Sequence, residues 1–237
     1  MRDLNIFFKN SAEDLQFLLD KQYPKKPAIE LVGNRYRLDH NERMILYRGV
    51  FDTPSIIERK KKCAAPSEIK RLIIDGYNVL ITIESYLKGK TVFRSLDGYV
   101  RDISGLYGDH TLDNFKRKSI DLLVNFIKHG AGKDSSIPPD GAFYLDYPVS
   151  KSGELAVSLR ECFKKEKMNI EVNVVKNPDY SIIEEGRFSD ETVIATSDTV
   201  ILDKIERSFD IPDFIIRNVF QKDILDLEMI MVQKSGN

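Results

Sequence analysis

Four aspartates hold most of the chemistry this sequence offers. Asp75 ends the apolar run 72–74 and Asp146 ends the run 142–145. Asp198 follows the run 192–196 through Ser197, and Asp179 stands in the stretch 177–183 just after the run 172–175. Short, continuous apolar runs of this kind are expected as buried strands. In an open parallel sheet the carboxyl ends of the strands share one edge, and ligands bind there. Four carboxylates from distant parts of the chain then converge. Crowded like charges are costly unless a cation or a proton neutralises them. Donor sets made only of oxygen favour Mg²⁺ or Mn²⁺. Such an ion orients and activates water for attack on a phosphodiester. An aspartate after a strand also caps helices and shapes turns, so each of the four alone has a structural alternative. Together they point to a metal site, actual or ancestral.

Other residues support this edge or stand apart from it. Asn78 can hydrogen-bond Asp75 or a phosphate, or can cap a turn; Ser197 can hold a carboxylate or phosphate, or can cap the next helix. Arg101 can clamp a phosphate or pair with Asp97 or Asp102. Arg35, Arg37, Arg43 and Arg48 alternate with Tyr36 and Tyr47, and arginine and tyrosine together suit RNA contact. The alternative is a tyrosine packed in a helical core among solvated arginines. The run 59–62, Arg-Lys-Lys-Lys, either holds a phosphate backbone or is a solvated linker. Cys63 and Cys162 form no close pair, and His40, His110 and His129 are far apart, so zinc chemistry is not expected.

The elements that must position these groups fall into two textures. The chain has 237 residues with a net charge of −1. Residues 1–66 carry 13 Lys/Arg against 9 Asp/Glu, whereas residues 67–237 carry 23 against 28. A basic module beside an acidic one is thus expected, with a small helical domain over 1–62 and an α/β domain over 68–237. The first helix is expected to be capped by Ser11, with further helices over 28–33 and 40–50 and a linker over 52–66. Beyond it, strands over 72–74, 142–145, 172–175, 192–196 and 214–216 alternate with helices over 112–129, 152–167, 181–185 and 200–207. Alternation of this kind predicts a largely parallel sheet with helices on both faces. No apolar run reaches the roughly 20 residues of a membrane span, and residues 1–10 lack a signal-peptide core. No membrane partner and a cytoplasmic location are therefore expected, with oligomeric state left open.

The stretch 71–80, Arg-Leu-Ile-Ile-Asp-Gly-Tyr-Asn-Val-Leu, resembles the opening of the NYN nucleases of the PIN-like superfamily. Tyr144-Leu145-Asp146 is similar to the second-strand aspartate of the YacP-like branch. The stretch 178–183, around Asp179, resembles the segment after strand three, and Ile194-Ala195-Thr196-Ser197-Asp198 resembles the terminal Thr-Ser-Asp motif. The resemblance spans about residues 70–220. It implies a PIN-like domain in which Asp75, Asp179 and Asp198 bind Mg or Mn and Asp146 binds it or orients water, with Asn78 and Ser197 assisting. The activity it implies is metal-dependent hydrolysis of RNA. The alternative is a PIN-like module that binds RNA, a ribonucleoprotein or a protein without cleaving.

The pattern usually places another acid on a helix between strands one and two. Asp97 is the best substitute for it and Asp102 the next, both within a long insertion over about 84–110. If either joins the cluster, the enzyme reading gains; if neither does, the binding reading leads. The N-terminal part, including the stretches 18–24, 30–36 and 42–48, is similar to a family known only as domain of unknown function 434. That family is typically joined to a PIN-like C-terminal part.

Overall fold

A computed structural model of the chain describes residues 4–103, 113–129, 140–147, 149, 151–187 and 191–232, with side chains from residue 8 onward. His110 and the expected helix start at Leu112 lie outside the described residues. Helices α1 (Leu4–Asp20), α2 (Lys25–Tyr36), α3 (His40–Gly49) and α4 (Thr53–Lys61) come first. Strand β1 (Arg71–Asp75) leads into α5 (Gly76–Leu87), followed by β2 (Val92–Arg94), β3 (Val100–Asp102) and α6 (Asn114–His129). Next come β4 (Asp140–Asp146), α7 (Ser152–Lys165), β5 (Asn169–Val175), α8 (Pro178–Arg187) and β6 (Thr192–Ala195). The chain continues through α9 (Thr199–Leu202), β7 (Ser208–Phe209), α10 (Ile211–Ile215), a π-turn (Ile216–Phe220), β8 (Leu225–Asp226) and α11 (Leu227–Val232).

Two compact units result. One comprises Met1–Lys61, Thr91–Ile103 and Ile224–Asn237; the other comprises Lys62–Lys90 and Ser104–Asp223. In the first unit the N-terminal region is helical. Phe8, Ala12 and Leu15 of α1 join Ile29 and Val32 of α2, Ile45 and Leu46 of α3, and Phe93, Leu96 and Leu227 in one apolar cluster. Asp39 starts α3 with a reciprocal cap: Glu42 N–H donates to Asp39 Oδ1 at 2.9 Å, and Asp39 N–H donates to Glu42 Oε2 at 2.7 Å. This satisfies two amides that the first helical turn leaves without partners. Arg37 ends α2 in the left-handed conformation. A small sheet runs in the order β3-β2-β8.

The second unit is the α/β body. Its five-stranded sheet has the order β5-β4-β1-β6-β7, and every pairing in it is parallel. Helices flank the sheet. Leu72, Ile74, Phe143, Leu145, Val193 and Ala195 from its central strands are buried with Leu80, Ile83, Leu123, Leu159 and Phe163 from the helices. Apolar residues throughout the central strands are what burial on both faces demands. Gly76 opens α5 hard against β4: a Cβ there would stand 2.5 Å from Tyr144 O and would overlap the Phe143 ring.

Several local expectations are corrected. Ser11 does not cap the first helix; it lies inside α1, buried, and its hydroxyl donates to Phe8 O. Much of the expected linker is α4. The helix expected over 200–207 ends at Leu202. The strand expected over 214–216 is helical, because Asp210 caps α10 through Asp213 N–H at 2.9 Å and Pro212 suits a first helical turn. The short β7 takes the fifth place in the sheet. Ser152 is not the cap of α7; its hydroxyl contacts Asp146 O and Val149 O at 2.6 Å each.

Candidate functional site

Register brings three of the four aspartates to one edge. Asp75 is level with Tyr144 on β4, and its neighbour Ile74 is level with Ala195 on β6. Asp146 and Asp198 therefore each lie two residues beyond the level of Asp75, one on either side of it. Sheet order reverses at β1: β4 and β5 continue to one side, whereas β6 and β7 lie on the other. Asp75 and Asp198 flank that reversal, the place where open α/β sheets form ligand sites. Asp179 is the second residue of α8. The helix start is held by Asn177, whose Oδ1 accepts from Tyr180 N–H at 3.0 Å, so Asp179 is not needed as its cap.

Electrostatics ties the four together. Burial pushes the Asp75 carboxyl up to about 7; a hydrogen bond from Thr196 opposes the rise, and Asp198 and Asp179 add to it. Burial also raises the Asp179 carboxyl, and Asp198 and Asp146 raise it further. Like charges facing one another across a half-desolvated edge produce this pattern. Asp146 Oδ1 is buried and has no hydrogen-bond partner among the described residues. Such an acceptor is costly to leave unmet and is expected to take a water or an ion.

Hydrogen bonds fix the turns. Thr196 Oγ1 donates to Asp75 Oδ2 at 2.7 Å and accepts from Asp198 N–H at 3.0 Å. Asn78 Oδ1 accepts from Ser197 N–H at 2.8 Å and from its hydroxyl at 3.0 Å. Asn78 and Ser197 therefore bind each other, and their hydrogen bonds position the turn that carries Asp198. Asp198 Oδ1 caps α9 by accepting from Val200 N–H at 2.7 Å. Sequence reasoning missed Tyr77, whose hydroxyl is 2.7 Å from Ser152 Oγ beneath the turn after Asp146. No local signal marks that pairing, since 75 residues separate the two.

The remaining candidates lie elsewhere. Asp97 belongs to the first unit, where it is buried. Arg101 donates to both of its oxygens at 2.6 and 3.0 Å, Arg59 Nη1 donates at 3.2 Å and Ser95 Oγ at 2.6 Å. Burial alone would raise its carboxyl, but the Arg101 charge and hydrogen bonds hold it below the usual range. Asp102, also in the first unit, is buried and lies 3.9 Å from Arg48. Arg101 is buried as well, which corrects its reading as a phosphate clamp. Arg35 lies 3.5 Å from Asp14. Arg43 donates to Leu38 O and Asn34 Oδ1 at 3.0 Å each and packs against Gly33. Arg37 is exposed at the end of α2. Among the described residues, no three His, Cys, Asp or Glu side chains lie close enough together to hold a metal ion. The edge therefore offers the hard oxygen donors Mg²⁺ or Mn²⁺ would need without drawing them into a coordination sphere.

Among the described residues no helix is long and apolar enough to cross a membrane. No solved structure matches the chain. Uncharacterized protein MJ0935 of Methanocaldococcus jannaschii is 34% identical over 196 residues, covering 82% of this chain and 88% of that protein. Residues 7–62 match the family described as Protein of unknown function (DUF434), in agreement with the N-terminal resemblance. Residues 66–214, which span the whole aspartate edge, match the family described as Domain of unknown function (DUF5616), and the chain belongs to that family.

Proposed function

We propose that the α/β unit is a PIN-like RNA module that engages phosphate at its aspartate edge, where Asp75, Asp179 and Asp198 would hold a Mg²⁺ or Mn²⁺ ion on drawing closer together than they stand here. The observation that carries this reading is the electrostatic pressure at the order reversal of the sheet, where burial first and neighbouring carboxylates second raise Asp75 and Asp179. A hard divalent ion offsets that pressure and supplies positive charge to a phosphate. Thr196, Asn78 and Ser197 act as positioning residues. Binding without turnover leads, because Asp97 and Asp102, the two substitutes for the missing helix acid, are buried with arginines in the first unit.

Hydrolysis is the second reading. It is favoured by Asp146 Oδ1, which has no partner among the described residues and would be free to accept from a water. One experiment addresses both. A short single-stranded RNA is titrated in Mn²⁺ and in chelator, with the intact protein and with the Asp75→Asn/Asp198→Asn double variant. Binding that needs Mn²⁺ and is lost in the variant supports the proposal; equal affinity in chelator overturns it. Product that appears in Mn²⁺ and disappears in Asp198→Asn promotes hydrolysis. Asparagine keeps a side-chain acceptor for Val200 N–H, so the α9 cap survives the substitution.

A further inference from the structure

In the first unit, three cations surround one buried aromatic ring. Lys25 Nζ is 3.9 Å from the centre of Phe51, Arg59 Cζ is 4.5 Å from it and Arg101 Cζ is 5.1 Å from it. Lys25 Nζ is also 5.4 Å from the Tyr47 ring. Two carboxylates face this group. Asp97 is shared by the two guanidiniums, and Asp52 is occupied by Ser55, which donates from N–H at 2.9 Å and from Oγ at 2.8 Å. Among the described residues the Lys25 ammonium makes no hydrogen bond and no ion pair; it lies over the two rings. A cation–π contact contributes roughly 0.5–2 kcal/mol, which does not replace the hydration a half-buried ammonium loses.

Lys25 is partly exposed, whereas Arg59 and Arg101 are buried. Helix α2 begins at Lys25 with Pro24 before it and no side-chain cap, so the positive end of that 12-residue helix adds to the same field. We propose that Lys25 binds a dianionic tetrahedral oxyanion of the phosphate class, with the buried Arg59 and Arg101 around the same ring contributing positive charge rather than contacts. The anion supplies the acceptor that Lys25 lacks and balances the excess positive charge. This site is separate in residues and in charge from the aspartate edge, and it stands whether or not that edge binds a metal.

A consequence separates this site from a merely tolerated lysine. Burial, then repulsion from Arg101 and Arg59, lowers the Lys25 ammonium to about 7, against the opposing pull of Asp97 and Asp52. An incoming dianion favours the charged amine, so binding above neutrality takes up a proton. The probe is inorganic sulfate, which does not itself titrate in this range. Isothermal titration at pH 8 in buffers of different ionisation enthalpy is expected to show sulfate binding with net proton uptake. Lys25→Arg is expected to keep affinity within about threefold while losing the proton uptake, because arginine stays charged. Lys25→Met is expected to weaken sulfate at least tenfold without lowering thermal stability, because it removes an unpaired, repelled cation.

Sulfate affinity unchanged in Lys25→Met, absence of sulfate binding by the intact protein, or binding without proton uptake each overturn the proposal. Two further arms identify the source of the anion. Inorganic phosphate that displaces sulfate points to a free ion. A 5′-phosphorylated short RNA that displaces it better than the same RNA with a 5′-hydroxyl, with the difference lost in Lys25→Met, points to a nucleic-acid phosphate.

Discussion

The side-chain oxygen of Asn78 takes two hydrogen bonds from Ser197, at 2.8 and 3.0 Å, and so joins the start of α5 to the turn after β6 across 119 residues of sequence. Asn78→Ala leaves the Ser197 amide without its acceptor at a partly buried site. A loss of about 1–3 kcal/mol is expected, read by urea denaturation. On the proposed function, Mn²⁺ affinity falls as well, since the turn that carries Asp198 is released. Asn78→Asp, which keeps the acceptor, is expected to recover most of the stability.

Asp75 makes stability depend on pH. Its folded value, about 7, lies above the ordinary carboxylate value. The folded state therefore holds a proton that the unfolded chain has released, and stability falls as pH rises. The penalty is absent below about pH 4, grows between about pH 4 and 7, and is constant above, with a ceiling of about 4 kcal/mol. Asp75→Asn is expected to flatten this part of the pH–stability curve and to raise thermal stability at pH 8. A variant curve parallel to that of the intact protein from pH 4 to 7 contradicts the linkage.

Asp97 is expected to matter for folding rather than for metal. Asp97→Ala removes the carboxylate that two buried guanidiniums, Arg59 and Arg101, share, and a loss of about 3–5 kcal/mol follows. Chemical denaturation measures it. Wherever the milder Asp97→Asn remains folded, its Mn²⁺ affinity is expected to equal that of the intact protein.

Gly76 sets how closely α5 approaches β4. Gly76→Ala forces a shift away from Tyr144 O and Phe143, at a cost of about 1–3 kcal/mol. The aspartate edge is built on the same junction, so a lower Tm is expected together with weaker Mn²⁺ binding.

Removing residues 1–61 is not a clean way to isolate the α/β unit. Phe93, Leu96 and Leu227 share their cluster with Leu15, Ile29, Val32 and Leu46, so the truncated chain exposes them. Aggregation is expected, measured by light scattering. Phe93→Ala in the full chain is expected to cost about 3–5 kcal/mol.

The sequence by itself determined the strands that end in Asp75 and Asp146, because unbroken runs such as Leu72-Ile73-Ile74 suit only a buried strand when bounded so closely. It also determined that helices precede an α/β body and that aspartates stand at strand ends. Where propensity competes with context, sequence was a poorer guide. The run 214–216 is rich in strand formers, yet Asp210 and Pro212 start a helix ahead of it. Only the tertiary structure decided which charges meet. Asp97 and Arg59 are 38 residues apart, and nothing local shows that the segment Thr91–Ile103 packs with the helical unit. The same holds for Lys25, whose neighbours Phe51, Arg59 and Arg101 come from three other stretches of chain. Hydrophobic periodicity is local and is written into each segment, whereas the pairing of buried charges depends on which segments the core brings together.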